Sequence, residues 1–219
     1  MIKKKKTFFV GISFVAAFLL WTLLVCVVDV QKIGPQESSV GFAALNGFVH
    51  QNIGVHMSLY TITDWLGLVP IAVAFAFAVF GLVQWIQRKS LTKVDYSILT
   101  LGVFYIAVMV VFALFEFVVI NHRPVLIEGI LEASYPSSTT MLAASVMPAS
   151  ILQFHSRIKN KTLRWCVTII LALFTAFMVI GRLISGVHWL TDIVGGLLIS
   201  AGLVLLYDSV NNFDSASRE

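Results

Sequence analysis

The chain has 219 residues, of which 58% are hydrophobic and only 12% charged. A soluble domain of this length needs about 25% charged residues to cover its surface; here the charges are bunched between long apolar runs, which excludes a water-soluble globular fold and makes lipid the natural solvent. The formal net charge of +4 then reflects membrane topology rather than a nucleic-acid partner.

In chain order, the first apolar run covers residues 7–30, behind Lys3, Lys4, Lys5 and Lys6. It exceeds the about 7–15 residues of a signal-peptide core and no small-residue cleavage site follows, so it is expected to stay as a first helix. Residues 31–63 hold His50 and His56 and are long enough for an interfacial helix over 40–53. That helix could line a lipid entrance, or the stretch could be a loop covering the bundle. Further apolar segments lie at 64–87, 95–120, 138–155, 164–184 and 188–207. A hydrocarbon core of about 30 Å needs about 20 apolar residues in a helix, so each is read as a span. The fourth is the least hydrophobic, with Thr139, Thr140, Ser145, Pro148 and Ser150, and is expected to face other helices. Cys26 and Cys166 sit inside apolar segments and read as small hydrophobes; no Cys/His cluster is spaced for a metal, and no cofactor is implied.

Orientation follows from the basic residues. Lys3 to Lys6, Arg88, Lys89, Lys93, Arg157, Lys159, Lys161, Arg164 and Arg218 all fall on one side, leaving Lys32, Arg123 and Arg182 on the other. The expectation is an all-α, polytopic membrane bundle of six transmembrane helices, one domain over 1–219, with both termini cytoplasmic. Arg123 and Arg182 then sit at outer helix ends, where ionisable residues are functional candidates.

Three segments converge on that outer side: Asn121-His122-Arg123-Pro124, then Tyr135 to Thr140, then Gly181 to Asp192. His188 and Asp192, four apart at the predicted start of a helix, share a face. Asp192 can orient one imidazole nitrogen and leave the other as a nucleophile. Arg123 and Arg182 offer planar forks for phosphate oxygens. Ser137, Ser138 and Thr139 open a helix whose free N–H groups favour an anion. Together these describe phosphoryl transfer through a phosphohistidine. Each piece has a plainer alternative: an N-cap, a snorkelling arginine at a helix stop, a structural His–Asp hydrogen bond.

These residues resemble the signature of the type 2 phosphatidic acid phosphatase superfamily, the lipid phosphate phosphatases: Lys-x6-Arg-Pro, Pro-Ser-Gly-His, then Ser-Arg-x5-His-x3-Asp. Arg123-Pro124 matches the end of the first motif, Pro136-Ser137 opens the second, and Arg182, His188 and Asp192 match the third at full spacing; the likeness covers about residues 60–207. Glu116 stands where the first motif has lysine, Ser138 and Thr139 where the second has Gly-His, and Gly181 where the third has serine. The resemblance implies His188 as nucleophile, Asp192 as its orienter, and Arg123, Ser137 and Arg182 as phosphate ligands. It implies a phospholipid or isoprenoid phosphate substrate cleaved at the outer face of the cell membrane. It also implies a missing general acid at Thr139, which predicts better turnover of lipid diphosphates than monophosphates, since a phosphate leaves more readily than an alkoxide. His122, Glu128 and Glu132 are the nearby groups that could substitute. Glu116 would repel a phosphate unless protonated or paired with an arginine. The competing expectation is a member that binds a phospho-lipid or a partner protein without turnover; a transporter, which needs polar residues at mid-membrane depth, is disfavoured.

Overall fold

The computed structural model describes residues 2–215, with side chains from 5 to 211; Arg218 and the side chains of Lys3 and Lys4, counted in the charge asymmetry, lie outside the described residues. The architecture is all-α: α1 (Ile2–Val27), α2 (Ala43–Ile53), α3 (Met57–Leu66), α4 (Leu68–Arg88), α5 (Tyr96–Phe117), α6 (Ser138–Arg157), α7 (Lys161–Ile184) and α8 (Leu190–Ser215). Among the described residues extended pairing is limited to isolated bridges, such as His122 with Ala133.

Among the described residues, five helical segments are long and apolar enough to cross a membrane: Lys5–Val27, Met57–Arg88, Tyr96–Phe117, Lys161–Ile184 and Leu190–Asn211. The second joins α3 to α4, because Gly67 keeps helical dihedrals between them; the expected span at 64–87 therefore starts earlier. The fourth expected span, 138–155, falls on α6, which has the length of a span but not the hydropathy. It packs against α4, α5, α7 and α8, and Thr140, Met141, Ala143, Ser145, Met147, Ala149 and Ser150 are all buried. Small and hydroxyl-bearing residues let neighbouring backbones approach closely, and their polar atoms are used inside the protein: Ser145 Oγ donates to Ser200 Oγ at 3.0 Å, which donates to the Met141 carbonyl at 3.1 Å. A helix sheathed by others has no need of an apolar surface.

The expected interfacial helix is present as the shorter α2. Val40 is not part of it but bridges to Gln31, and Asn46 on α2 is fully buried against α8. α2 thus caps the bundle, while Phe48 on its other side is 67% exposed.

Two side-chain clusters, one polar and one aromatic, mark the opposite ends of α6. At its C-terminal end, Asp95 accepts from Arg88 Nη1 at 2.8 Å, Gln84 Nε2 at 2.9 Å and Arg157 Nη1 at 3.1 Å, tying α4, α5 and α6 together. Burial pushes the Asp95 carboxyl up, but the hydrogen bonds from Arg88, Gln84 and Arg157 outweigh it and hold the group at about 2. Next to the N-terminal end, the Tyr135 ring stacks on Phe18 at 6.2 Å and meets Phe115 edge-on at 5.7 Å. Its hydroxyl is 2.7 Å from Thr22 Oγ1, and a side chain on Gly195 would collide with this ring at 2.7 Å.

Candidate active site

Asp192 is fixed by the helix it helps to begin. In the first turn of α8 its Oδ2 reaches back to accept the Trp189 N–H at 2.9 Å, the reciprocal half of a capping box. Oδ1 accepts from Asn121 Nδ2 at 3.3 Å, and the side chain is wholly buried. Asn121 also donates to Thr191 Oγ1 at 3.4 Å. Asn46 donates to that hydroxyl at 3.0 Å and accepts the Thr191 N–H at 3.2 Å. Two asparagines from distant segments thereby secure the N-terminus of α8.

His188 is not on the helix with Asp192, as the four-residue spacing predicts, but in the turn ahead of it, outside the spanning segment. The turn brings Nδ1 to 3.6 Å from Asp192 Oδ2, a close approach longer than a hydrogen bond. His188 is 4% exposed. Burial, then the charges of Arg123 and Arg182, hold its imidazole well below the ordinary 6.5, with the Ser134 backbone opposing them only in part. Each of the larger effects disfavours the cation, so the ring is held in its neutral, nucleophilic form. The turn itself requires Gly186: its φ is +69°, and a Cβ there would lie 2.0 Å from the Gly54 carbonyl oxygen. Beside it the His56 N–H donates to the Ser185 carbonyl at 2.9 Å, docking the α2–α3 connection on the turn that carries His188.

Arg123 is presented by a hairpin. Its N–H donates to the Glu132 carbonyl at 3.0 Å, and the Ser134 N–H to the Asn121 carbonyl at 2.9 Å. The tip is Glu128-Gly129, with φ of +51° and +81°, the left-handed pair of a two-residue hairpin turn. Glu128 is therefore exposed at the tip and does not line the site cavity, whereas Glu132 places its carboxylate 3.0 Å from Arg123 Nε. Arg182, in the last turn of α7, is 1% exposed; Nη1 lies 3.3 Å from Thr63 Oγ1 and Nη2 3.3 Å from Asp64 Oδ1. Both guanidiniums face the Tyr60 ring, Arg182 at 4.9 Å and Arg123 at 5.9 Å, within cation–π range. Gly181 allows this approach of α3, since a Cβ there would sit 2.8 Å from Thr63 Cγ2.

Tyr60, Thr63 and Asp64, with Asn46, are residues around the candidate site that the sequence reading missed, and Asn121 was named there without a role. The i, i+3, i+4 spacing on α3 was the available signal, but it lay inside what reads as a membrane approach. Ser137 is the residue ahead of α6, yet its hydroxyl does not cap that helix; its N–H donates to the Asp192 carbonyl at 3.1 Å. Thr139 is buried and packs its methyl beside Gly67, at the α3–α4 junction. A cavity of about 430 Å3 lies in front of His188, lined among others by Arg123, Ser138, His122, Glu116 and Glu132. Glu116 is exposed, and the carboxylate that pairs with Arg123 is that of Glu132.

Among the described residues, Ser137 Oγ, Arg123 Nη1, Arg182 Nε and both His188 nitrogens are buried without a hydrogen-bond partner. Buried polar atoms are almost always satisfied; unpartnered donors on Arg123 and Arg182, whose charges both act on His188, suit a polyoxygenated anion. No group of three or more His, Cys, Asp and Glu suited to a metal occurs among the described residues.

Nothing among curated proteins matches the sequence significantly. The fold is similar to that of a transmembrane PAP2 type phosphatidylglycerolphosphate phosphatase from Bacillus subtilis, with a TM-score of 0.55 and 19% identity over 94% of this chain and 96% of that one. Residues 116–213 match the PAP2 superfamily, a segment holding Glu116, Arg123, Ser137, Arg182, His188 and Asp192. The chain is a helical membrane protein that carries, over a little less than half its length, a segment similar to the PAP2 superfamily.

Proposed function

We propose that this protein is a membrane lipid phosphatase that removes a phosphate or diphosphate headgroup through a phosphohistidine on His188. The observation that carries the reading is the set of unpartnered buried atoms on Arg123, Ser137, Arg182 and His188, with both arginine charges acting on His188, and with Asp192 3.6 Å behind its Nδ1. His188 Nε2, opposite the Nδ1 that faces Asp192, attacks phosphorus; the bond to the leaving oxygen breaks with its electron pair, and Asp192 stabilises the imidazolium that forms. Water then attacks the phosphohistidine, releasing inorganic phosphate and restoring the neutral ring. Arg123, Arg182 and Ser137 hold the non-bridging oxygens as charge develops on them.

Six crossings with both termini cytoplasmic would put this chemistry at the outer face. The basic-residue asymmetry supports that topology, as does α6, whose 20 residues span about 30 Å at 1.5 Å each and link the same two ends of the bundle as α5. A substrate like that of the Bacillus subtilis neighbour is one choice and an isoprenoid diphosphate another. Thr139 packed at the α3–α4 junction favours the diphosphate, whose leaving group needs no proton. The same placement of Thr139 is what favours a second reading, phospho-lipid binding without turnover.

Phosphate release by the purified chain, on a panel of lipid mono- and diphosphates and beside His188→Ala, separates the two. Release that His188→Ala abolishes, with diphosphates ahead of phosphatidic acid, is the expected result. No release from any lipid, with binding retained, would establish the binding reading instead.

A further inference from the structure

We propose that Tyr60 is a positioning residue for the phosphate site: its ring face sets the guanidiniums of Arg123 and Arg182 together, with a nitrogen of each left open to the substrate. The inference rests on the lipid-phosphatase reading above. Arg123 comes from the hairpin and Arg182 from the last turn of α7, and Tyr60 on α3 meets both, at 5.9 Å and 4.9 Å from its ring centroid. Each guanidinium is also tethered by its own neighbours. Arg182 Nη1 lies 3.3 Å from Thr63 Oγ1 and Nη2 3.3 Å from Asp64 Oδ1, whereas Glu132 holds Arg123 at Nε, 3.0 Å away. Arg182 Nε and Arg123 Nη1 stay buried and unpartnered.

Two cations brought to one small site repel each other while it is empty. Glu132 and Asp64 offset part of that repulsion, but their side chains are 39% and 55% exposed, and they hold the two arginines to different segments. The electron-rich face of Tyr60 attracts both cations without adding a negative charge that would repel the incoming phosphate. An aliphatic side chain could fill the same volume and would supply no such attraction. The placement is local in origin: Tyr60, Thr63 and Asp64 share one face of α3 at i, i+3 and i+4. Gly181 lets that face approach α7, because a Cβ there would lie 2.8 Å from Thr63 Cγ2. Both arginine charges also act on His188 and favour its neutral form, so the placement of the pair can be read at the histidine as well as at the phosphate.

The test uses the full chain in lipid nanodiscs and three readouts: orthovanadate affinity by titration calorimetry, the His188 titration by NMR of ring-labelled histidine, and kcat and KM on a lipid diphosphate. Tyr60→Phe, which keeps the ring face, should stay within about twofold of wild type in all three. Tyr60→Leu should weaken orthovanadate about tenfold and lower kcat/KM by a similar factor. It should also move the His188 titration up toward 6.5, because the arginine charges that hold it down are displaced. Replacing Tyr60 with trifluorophenylalanine, which keeps the ring's shape but draws charge from its face, should act in the same direction and decides the matter if Tyr60→Leu fails to fold. Unchanged orthovanadate affinity and an unmoved His188 titration in the deciding variant overturn the proposal, since Tyr60 would then only pack. A loss in Tyr60→Phe equal to that in Tyr60→Leu overturns it as well, because the hydroxyl and not the ring face would matter. If wild type releases no phosphate above the His188→Ala background, the phosphatase reading fails, while orthovanadate affinity and the His188 titration still decide the role of Tyr60. Absence of orthovanadate binding to wild type overturns both.

Discussion

His188 and Asp192 sit in different environments. The imidazole is buried beside two guanidiniums, which favour its neutral form, while Asp192 is held by the Trp189 N–H and Asn121 rather than by the imidazole alone. Asp192→Asn should reduce phosphate release on the order of 10^3–10^4-fold, measured with saturating lipid diphosphate. The depressed His188 pKa sets the sign of the pH profile: as pH falls, the proposed nucleophile stays neutral, so the acid limb of kcat/KM should lie well below pH 6.5. Arg123→Gln removes a charge that lowers this pKa, so in that weakened variant the limb should move up toward 6.5. An unmoved limb would mean that another group titrates. Folding follows the same linkage: the unfolded chain takes up a proton near 6.5 and the folded one does not, so stability is full above that pH and is lost as pH falls toward the folded value.

At the scale of elements, the site depends on where one turn and two helix ends are docked. Gly186→Ala forces a side chain into left-handed backbone and against the Gly54 carbonyl. It should cost on the order of 2–4 kcal/mol in thermal unfolding and lower activity by about 100-fold through misplacement of His188. At the other end of α6, the Asp95 carboxylate joins three helices. Its folded pKa, about 2 against 3.8, is depressed, so its contribution is present above about pH 4 and lost as pH falls through about 2. Because its side chain is 33% exposed, that contribution is about 1 kcal/mol once solvent screening is counted. Asp95→Asn should lower the unfolding midpoint at neutral pH by the corresponding small amount, and the variant should lack this step of acid destabilisation.

For the whole molecule, the expectation of six crossings has a direct check. In a Cys26→Ala/Cys166→Ala background, Glu128→Cys at the hairpin tip should react with an impermeant thiol reagent in intact cells. Thr92→Cys, between α4 and α5, should react only after the membrane is opened. The reverse pattern would invert the bundle, and labelling of both from outside would contradict an odd number of crossings between them.

Much of this organisation was legible in the chain. The five apolar spans declare themselves because lipid-facing helices must be hydrophobic along their length, and the spacing of Arg182, His188 and Asp192 is local, so it survives in one dimension. α6 also began near its expected start, although burial rather than lipid explains its composition. What only the tertiary structure decided are relations between distant segments: Tyr60 between two arginines, Asn46 and Asn121 on the start of α8, Thr139 packed beside Gly67, and Glu132 rather than Glu116 paired with Arg123. Apart from the i, i+3, i+4 spacing on α3, none of these leaves a local signal, because each is settled by packing between segments rather than by position along one helix. Burial and partner, which set charge state and role, belong to the packed molecule.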